Sequence, residues 1–248
     1  MADPIKQFKI EPIIPLEFGN FDLSFTNSSL WMAIAVVVST VFMTIAIQRK
    51  EMVPGRVQVF SEMLYEFVAG LIRENVGTAG RKFFPFVFTL FIVVLLGNVL
   101  GLIPFSFTYT SHIIVTFALA ALVFFAVIIF GIARHGIRFL SLFAPAGIPL
   151  WLMPLIIPIE LLSFLIRPIT LSVRLFANMM AGHLMLKVFA SFSVAMIGAG
   201  VAGMFGAMLP MLFNVILIAF ELLIALLQAY VFAVLTCIYL KDTVELHH

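Results

Sequence analysis

Between Lys82 and Arg134 the chain runs for 51 residues, 83–133, without one Asp, Glu, Lys or Arg. A helix or strand on the surface of a soluble globule carries a polar face, so water leaves no place for such a stretch. Four further intervals, 23–48, 139–159, 188–220 and 222–240, are equally bare of charge. A bilayer core of about 30 Å takes about 20 helical residues to cross, and these intervals have that length. The composition agrees. Of 248 residues 63% are hydrophobic and 10% charged, against about 25% charged in soluble domains, and the mean hydropathy is +1.20. The chain reads as an integral membrane protein, which excludes a secreted domain, a disordered tail and an ordinary cytosolic enzyme.

The first interval holds one span, 29–48, closed by Arg49-Lys50. The longest holds two, 83–103 and 113–133, a helical hairpin divided where Pro104-Phe-Ser-Phe-Thr-Tyr-Thr-Ser-His112 clusters polar and turn-forming residues. A membrane β-barrel would alternate in short segments instead. Over 55–75, Val57, Phe60, Leu64, Phe67, Val68, Leu71 and Ile72 recur at helical spacing, with Gln58, Glu62, Glu66, Arg73 and Glu74 on other faces. This predicts an amphipathic helix lying in the membrane interface; the competing reading is a soluble helix packed on a partner. Two stretches, 150–195 and 205–240, are too long for upright spans. They predict a hairpin of two long, strongly tilted helices joined through Gly198-Ala-Gly-Val-Ala-Gly203, with Pro168 a candidate bend. The expected fold is one all-α membrane domain, 1–248, with vertical spans, one interfacial helix, that hairpin, and residues 1–28 as an outside segment.

Lys and Arg concentrate between spans one and two (Arg49, Lys50, Arg56, Arg73, Arg81, Lys82) and after span three (Arg134, Arg138), and are absent from 104–112 and 197–206. The positive-inside rule then places the N-terminus outside and the C-terminus, with Lys241, inside. Residues 1–12 carry Lys6, Lys9 and Glu11 but no apolar core of a cleavable signal peptide.

Charges within the membrane cost about 2.5–3.5 kcal/mol each on insertion scales and need a reason. Glu160, Arg167 and Arg174 follow one another by sevens, a drift of about 20° per step on a helix, and Asn178 lies near Arg174 on the same side. His183 is turned about 180° from Arg174 and lies some 13 Å further along. Glu221 shares a face with Gln228 and is isolated among uncharged residues; burial keeps such a carboxylate protonated, which makes it a candidate proton carrier. Plainer readings stand beside these: a Glu160–Arg167 ion pair, a snorkelling Arg167, a hydrogen-bonded core His183, and Asn98 as interhelical glue. Enzyme motifs are missing. There is no His-Glu-x-x-His pair and no Gly-x-Ser-x-Gly elbow, and His183 has no partner at metal-ligand spacing. Gly198-x-Gly200-x-x-Gly203 matches a dinucleotide fingerprint in letters but follows no predicted strand. The single cysteine, Cys237, and the 13 Met read as core residues, and a net charge of +2 gives no ground for a nucleic-acid partner.

Leu171-Ser-Val-Arg-Leu-Phe-Ala-Asn-Met-Met-Ala-Gly-His183 closely resembles the signature of subunit a of the F-type ATP synthases, the stationary half of a membrane rotary motor. The pattern S-x-R-L-F-x-N-x-x-(A/S)-G is present in full. Gly97-Asn98-x-x-Gly-Leu-Ile-Pro104, Glu160 fourteen residues before Arg174, and the Glu221…Gln228 pair extend the resemblance over essentially the whole chain. His183 with Glu221 follows the mitochondrial and alphaproteobacterial type; elsewhere in the family the two residue types are exchanged, as if they act as a unit.

The resemblance implies a ring of c subunits, each with a mid-membrane carboxylate, turning against this chain. Two offset half-channels would reach that carboxylate, with Arg174 separating them and essential for translocation. Asn98, Asn178, His183, Glu221 and Gln228 match positions near the outer half-channel or the Arg; Glu160 and Asp242 match positions near the inner one. Arg167 and Lys187 receive no role. The implied partners are the c ring, b-type peripheral stalk subunits and the bilayer, with protons as cargo and no cofactor, metal or nucleic acid. The implied location is a bacterial inner membrane, N-terminus periplasmic and C-terminus cytoplasmic. On this reading the chain is no enzyme by itself. The competing functional class is a self-contained ion-coupled secondary transporter, which would transport without any partner; a membrane enzyme is a third and lacks its motifs.

Overall fold

Residues that prefer helix and carry no charge have one way to satisfy their backbone in lipid, by bonding along the segment itself. The computed structural model describes residues 8–15, 17–18, 21–22, 24–48, 55–103, 106–136, 139, 151–198 and 200–244. Arg49, Lys50, Pro104, Arg138, His247 and His248 lie outside that set. Six α-helices carry most of it: α1 (Asn27–Gln48), α2 (Arg56–Asn75), α3 (Phe84–Gly101), α4 (Ile113–His135), α5 (Met153–Ile197) and α6 (Val201–Val244). Among the described residues, five helical stretches are long and apolar enough to cross a membrane: 27–45, 78–101, 113–135, 153–197 and 203–241. The protein is an all-α integral membrane protein. Helix α2 differs from the others: it buries Val68, Leu71 and Ile72 and leaves its charged positions exposed.

The segment before α1 is not featureless. Short strands β1 (Pro12–Ile14), β2 (Glu17–Phe18), β3 (Phe21–Asp22) and β4 (Phe25–Thr26) pair antiparallel, β1 with β4 and β2 with β3. Asn27 ties this ribbon to the first helix. Its backbone N–H donates to the Glu11 carbonyl at 3.1 Å, its side-chain amide donates to the Lys9 carbonyl at 3.1 Å, and its Oδ1 accepts from the Ser28 N–H at 2.9 Å. Thr26 Oγ1 accepts from the Ser29 N–H at 3.3 Å, relieving one of the orphan donors of a helix start. Strands of two or three residues are too short to show an alternating pattern.

Helix α6 runs past the expected 205–240 at both ends, while α5 starts within the expected 150–195 and passes only its end. Helix α5 has 45 residues with Pro158 and Pro168 inside it, and α6 has 44 with Pro210 inside, which makes each about 65 Å long. Where no water competes for backbone groups, a helix continues through a proline that would end it in solution. Only residues 198–200 separate the two helices, and Gly200 takes φ +88 there, a conformation that favours glycine. Gly203 belongs to α6. Helix α5, not a strand, leads into this turn, so the turn lacks the strand-turn-helix geometry of a dinucleotide site.

The chain packs as two compact units. One comprises Met1–Thr40, Val93–Ile113 and Leu175–Gln228; the other comprises Val41–Ile92, Ile114–Arg174 and Ala229–His248. In the first, α5 and α6 pair antiparallel: Phe189 stacks on Phe213 at 5.9 Å, and a Cβ at Gly206 would lie 2.5 Å from Met196 Cε. In the second, Ala229, Ala233, Cys237 and Leu240 are fully buried along one face of α6, the small-residue packing that draws membrane helices together. Cys237 is a core residue with a free thiol.

Candidate functional site

The site of the first unit begins at the end of α3. Gly97 and Gly101 stand one turn apart on one face, and the 106–111 segment folds back onto that bare face. A Cβ at Gly97 would collide with the Tyr109 hydroxyl, and one at Gly101 would lie 2.7 Å from Thr108 Oγ1. Tyr109 anchors the segment by donating its hydroxyl to the Val93 carbonyl at 3.2 Å. The Gly101 carbonyl, one of the orphans at a helix C-terminus, becomes a shared acceptor. Ser106 Oγ donates to it at 3.0 Å, and Thr108 Oγ1 at 3.2 Å.

His183 of α5 completes this cluster. Its Nε2 lies 3.0 Å from the Gly101 carbonyl and 2.8 Å from Thr108 Oγ1. A carbonyl only accepts, so the hydrogen-bond network assigns a proton to Nε2. Nδ1 faces Oε1 of Glu221 on α6 in direct contact. With Nε2 protonated, that contact can hold one further proton, either on Nδ1 as an imidazolium–carboxylate pair or on the acid beside a neutral imidazole. Both forms are net neutral, which suits a pair whose members are 8% and 3% exposed. Removing the proton leaves a lone pair against a carboxylate, and adding one leaves an uncompensated cation. The approach depends on Gly182, where a Cβ would lie 2.7 Å from Glu221 Oε1 and 2.9 Å from its Cδ. The Phe8 ring stands 6.5 Å from the imidazole.

Further polar groups line the same unit. Fully buried Asn98 donates Nδ2 to the Ala225 carbonyl at 3.4 Å. Its Oδ1, Glu221 Oε2 and Asn214 Oδ1 have no hydrogen-bond partner among the described residues. Asn214, Glu221 and Gln228 follow one another by sevens on α6, and Gln228 is also buried. The ATP synthase A chain family matches this sequence over residues 29–241.

The chain belongs to that family.

Full-length relatives agree. A protein named ATP synthase subunit a from Mesorhizobium japonicum is 55% identical over 247 residues, covering 100% of this chain and 98% of its own. Its namesake from Chelativorans sp. is 54% identical over 247 residues, covering 100% and 99%. One from Rhodopseudomonas palustris is 52% identical over 249 residues, covering 100% of both. These relatives match the alphaproteobacterial type that the His183/Glu221 pattern indicates.

Within this family member, the residues singled out from the sequence fall into two groups. Asn98, His183, Glu221 and Gln228 are buried in the first unit, and His183 and Glu221 are in contact. Asn178 is half-buried on α5. Arg174 is exposed and forms no ion pair among the described residues. Glu160 and Arg167 do meet, at 4.0 Å, and the Arg167 guanidinium also lies over the rings of Phe164 at 5.6 Å and Tyr239 at 5.2 Å. Asp242 lies within α6, its side chain outside the described set. Other contributors are hard to read from the sequence: Thr108, Ser106 and Tyr109 stand in a turn-like stretch, the Gly101 carbonyl carries no side-chain mark, and Gly182 is one letter of the signature. Asn214 alone was detectable, because it extends the Glu221–Gln228 spacing by one more step of seven.

Proposed function

We propose that the chain is the stationary proton-channel subunit of a rotary F-type ATP synthase, a non-catalytic part that couples proton flow to rotation of a c ring. The observation that carries this reading is the buried contact between His183 and Glu221, a pair able to share one proton. Unpaired acceptors on Asn98, Glu221 and Asn214 lie in the same unit. A buried acceptor without a partner costs about 1–3 kcal/mol, and a hydrated proton path recovers that loss. The pair and its neighbours then form the outer half-channel, with Glu160 and Asp242 on the inner one.

Arg174, exposed on α5, separates the two. A c-ring carboxylate facing lipid must be protonated, because an ion there is costly. Facing Arg174, its pKa falls by about 1–3 and the proton leaves. Arg suits this task because it keeps its own proton; a Lys in its place can hand one over and let protons slip without rotation. Tilt of α5 and α6 would present a long stripe to several ring subunits, and b-type subunits would hold the chain still. The protein sits in the bacterial inner membrane, N-terminus periplasmic and C-terminus cytoplasmic.

The test is reconstitution in liposomes with and without the c ring. The expected result is proton flux only when the ring is present, and rotation-coupled pumping only with the complete complex. Substrate-coupled transport by the chain alone would overturn the reading in favour of a secondary transporter.

A further inference from the structure

We infer that a cleft where α2 meets the start of α3 binds the phosphodiester headgroup of an anionic membrane phospholipid. Helix α2 ends at Asn75, and Gly77, at φ +76, reverses the chain into a 3-10 turn, Thr78–Phe83. That turn packs tightly on α2. A Cβ at Gly80 would lie 2.7 Å from Val76 Cβ and 2.8 Å from Ile72 Cγ2, so the return path of the chain has little freedom. It brings Arg81 to the same cleft as Arg73 of the last turn of α2.

The cleft has a volume of about 580 Å³, and its lining includes Tyr65, Ala69, Arg73, Thr78, Arg81 and Phe84. Tyr65 and Phe84 form an aromatic wall, their ring centroids 4.5 Å apart. The acidic residues of α2, Glu62, Glu66 and Glu74, do not line it. Among the described residues neither Arg73 nor Arg81 has an ion-pair partner. Two like charges held on one cleft repel, and a single anion between them removes the repulsion. A phosphodiester fits: each guanidinium can donate two parallel N–H bonds to its oxygens, and the Tyr65 and Thr78 hydroxyls add neutral donors.

The position favours a lipid over a free anion. Thr78 and Arg81 stand at the start of the 78–101 span, so the cleft opens at the depth where headgroup phosphates are concentrated, and its apolar wall suits the glycerol and upper acyl chain. The pattern recurs nearby. Lys82 and Arg134 line a second cleft of about 330 Å³ with Phe83, Phe86 and Phe130, again without an acidic residue.

The experiment uses the purified complex in nanodiscs of phosphatidylcholine with phosphatidylglycerol, counting retained phosphatidylglycerol by native mass spectrometry. Arg73→Gln with Arg81→Gln should lower that retention about tenfold or more, the loss of two charge-assisted contacts. Arg56→Gln, outside the cleft, should leave it unchanged. Ala69→Phe keeps both cations but fills the cleft, and should lower retention as well. Unaltered retention in both the double variant and Ala69→Phe overturns the inference. So does displacement of the lipid by inorganic phosphate, which would make the occupant a free anion. A photoreactive residue placed at position 69 should cross-link to lipid; capture of a protein subunit instead overturns the inference.

Discussion

Helix α5 contributes to two ion pairs that the fold treats in opposite ways. The first unit buries His183 and Glu221 in contact, with Thr108 and the Gly101 carbonyl fixing the far side of the ring. The second unit leaves Arg167 and Glu160 at 4.0 Å with side chains 26% and 36% exposed. Removing one partner of a buried pair costs about 3–5 kcal/mol, while an exposed pair contributes about 0–1 kcal/mol. The difference teaches where the chain itself specifies geometry. Glu221 is enclosed by described residues, His183 and Gly182 among them. Along the exposed side of α5, Arg174 included, the charges lie open to whatever lies beside the chain in the membrane.

The largest effect should come from that open side. Arg174→Ala is expected to abolish ATP-driven proton pumping in inverted vesicles while leaving assembly of the complex intact. Arg174→Lys should recover little despite its charge, because Lys can deprotonate. Normal pumping by Arg174→Ala would remove the separator role and with it the functional half of the contrast.

On the buried side, His183→Ala and Glu221→Ala should each slow ATP synthesis about a hundredfold, as loss of a proton-transfer group does. The double variant should be little slower than either single one, since the residues share one proton. Rates that simply multiply would show two independent groups.

Gly182→Ala tests the packing behind the pair. The added methyl pushes on a Glu221 that His183 holds in place, and overpacking of this kind costs about 1–3 kcal/mol. Thermal unfolding should fall accordingly, and adding Glu221→Asp, which shortens the acid, should restore part of the loss. No rescue would mean that the methyl acts elsewhere. Thr108→Val should be milder, lowering the synthesis rate by about three- to tenfold through loss of one hydrogen bond to His183. The smallest effect belongs to the exposed pair. A double-mutant cycle of Glu160→Gln and Arg167→Gln on unfolding should return a coupling below about 1 kcal/mol; a larger one would erase the contrast between the two pairs.

Much of the architecture was visible in the residues. The charge-free intervals located the stretches that became α1, α3 and α4, and the spacing of Val68, Leu71 and Ile72 marked the buried side of α2. The ribbon before α1 is not legible in the sequence, because strands of two or three residues have no periodicity and depend on Asn27 to hold them. The bounds of α6 differ from 205–240 by four residues at each end, since Gly203 and Lys241 look like a joint and a stop in the sequence while the helix continues through both. At the site, His183 and Glu221 stood out as polar groups in apolar surroundings, and Asn98 likewise. Thr108 did not, because a threonine in a turn looks the same whether or not a histidine reaches it.

The sequence alone therefore determined that this chain enters a membrane, that it does so as helices, and which polar groups are carried in. Those properties follow from local terms: the transfer of each side chain and the need of each backbone group for a partner within its own segment. Only the tertiary structure decided that His183 Nδ1 meets Glu221 while Nε2 turns to the Gly101 carbonyl. Which proton the pair shares depends on contacts between α3, α5 and α6, and those rest on Gly97, Gly101 and Gly182, residues whose contribution is the side chain they lack.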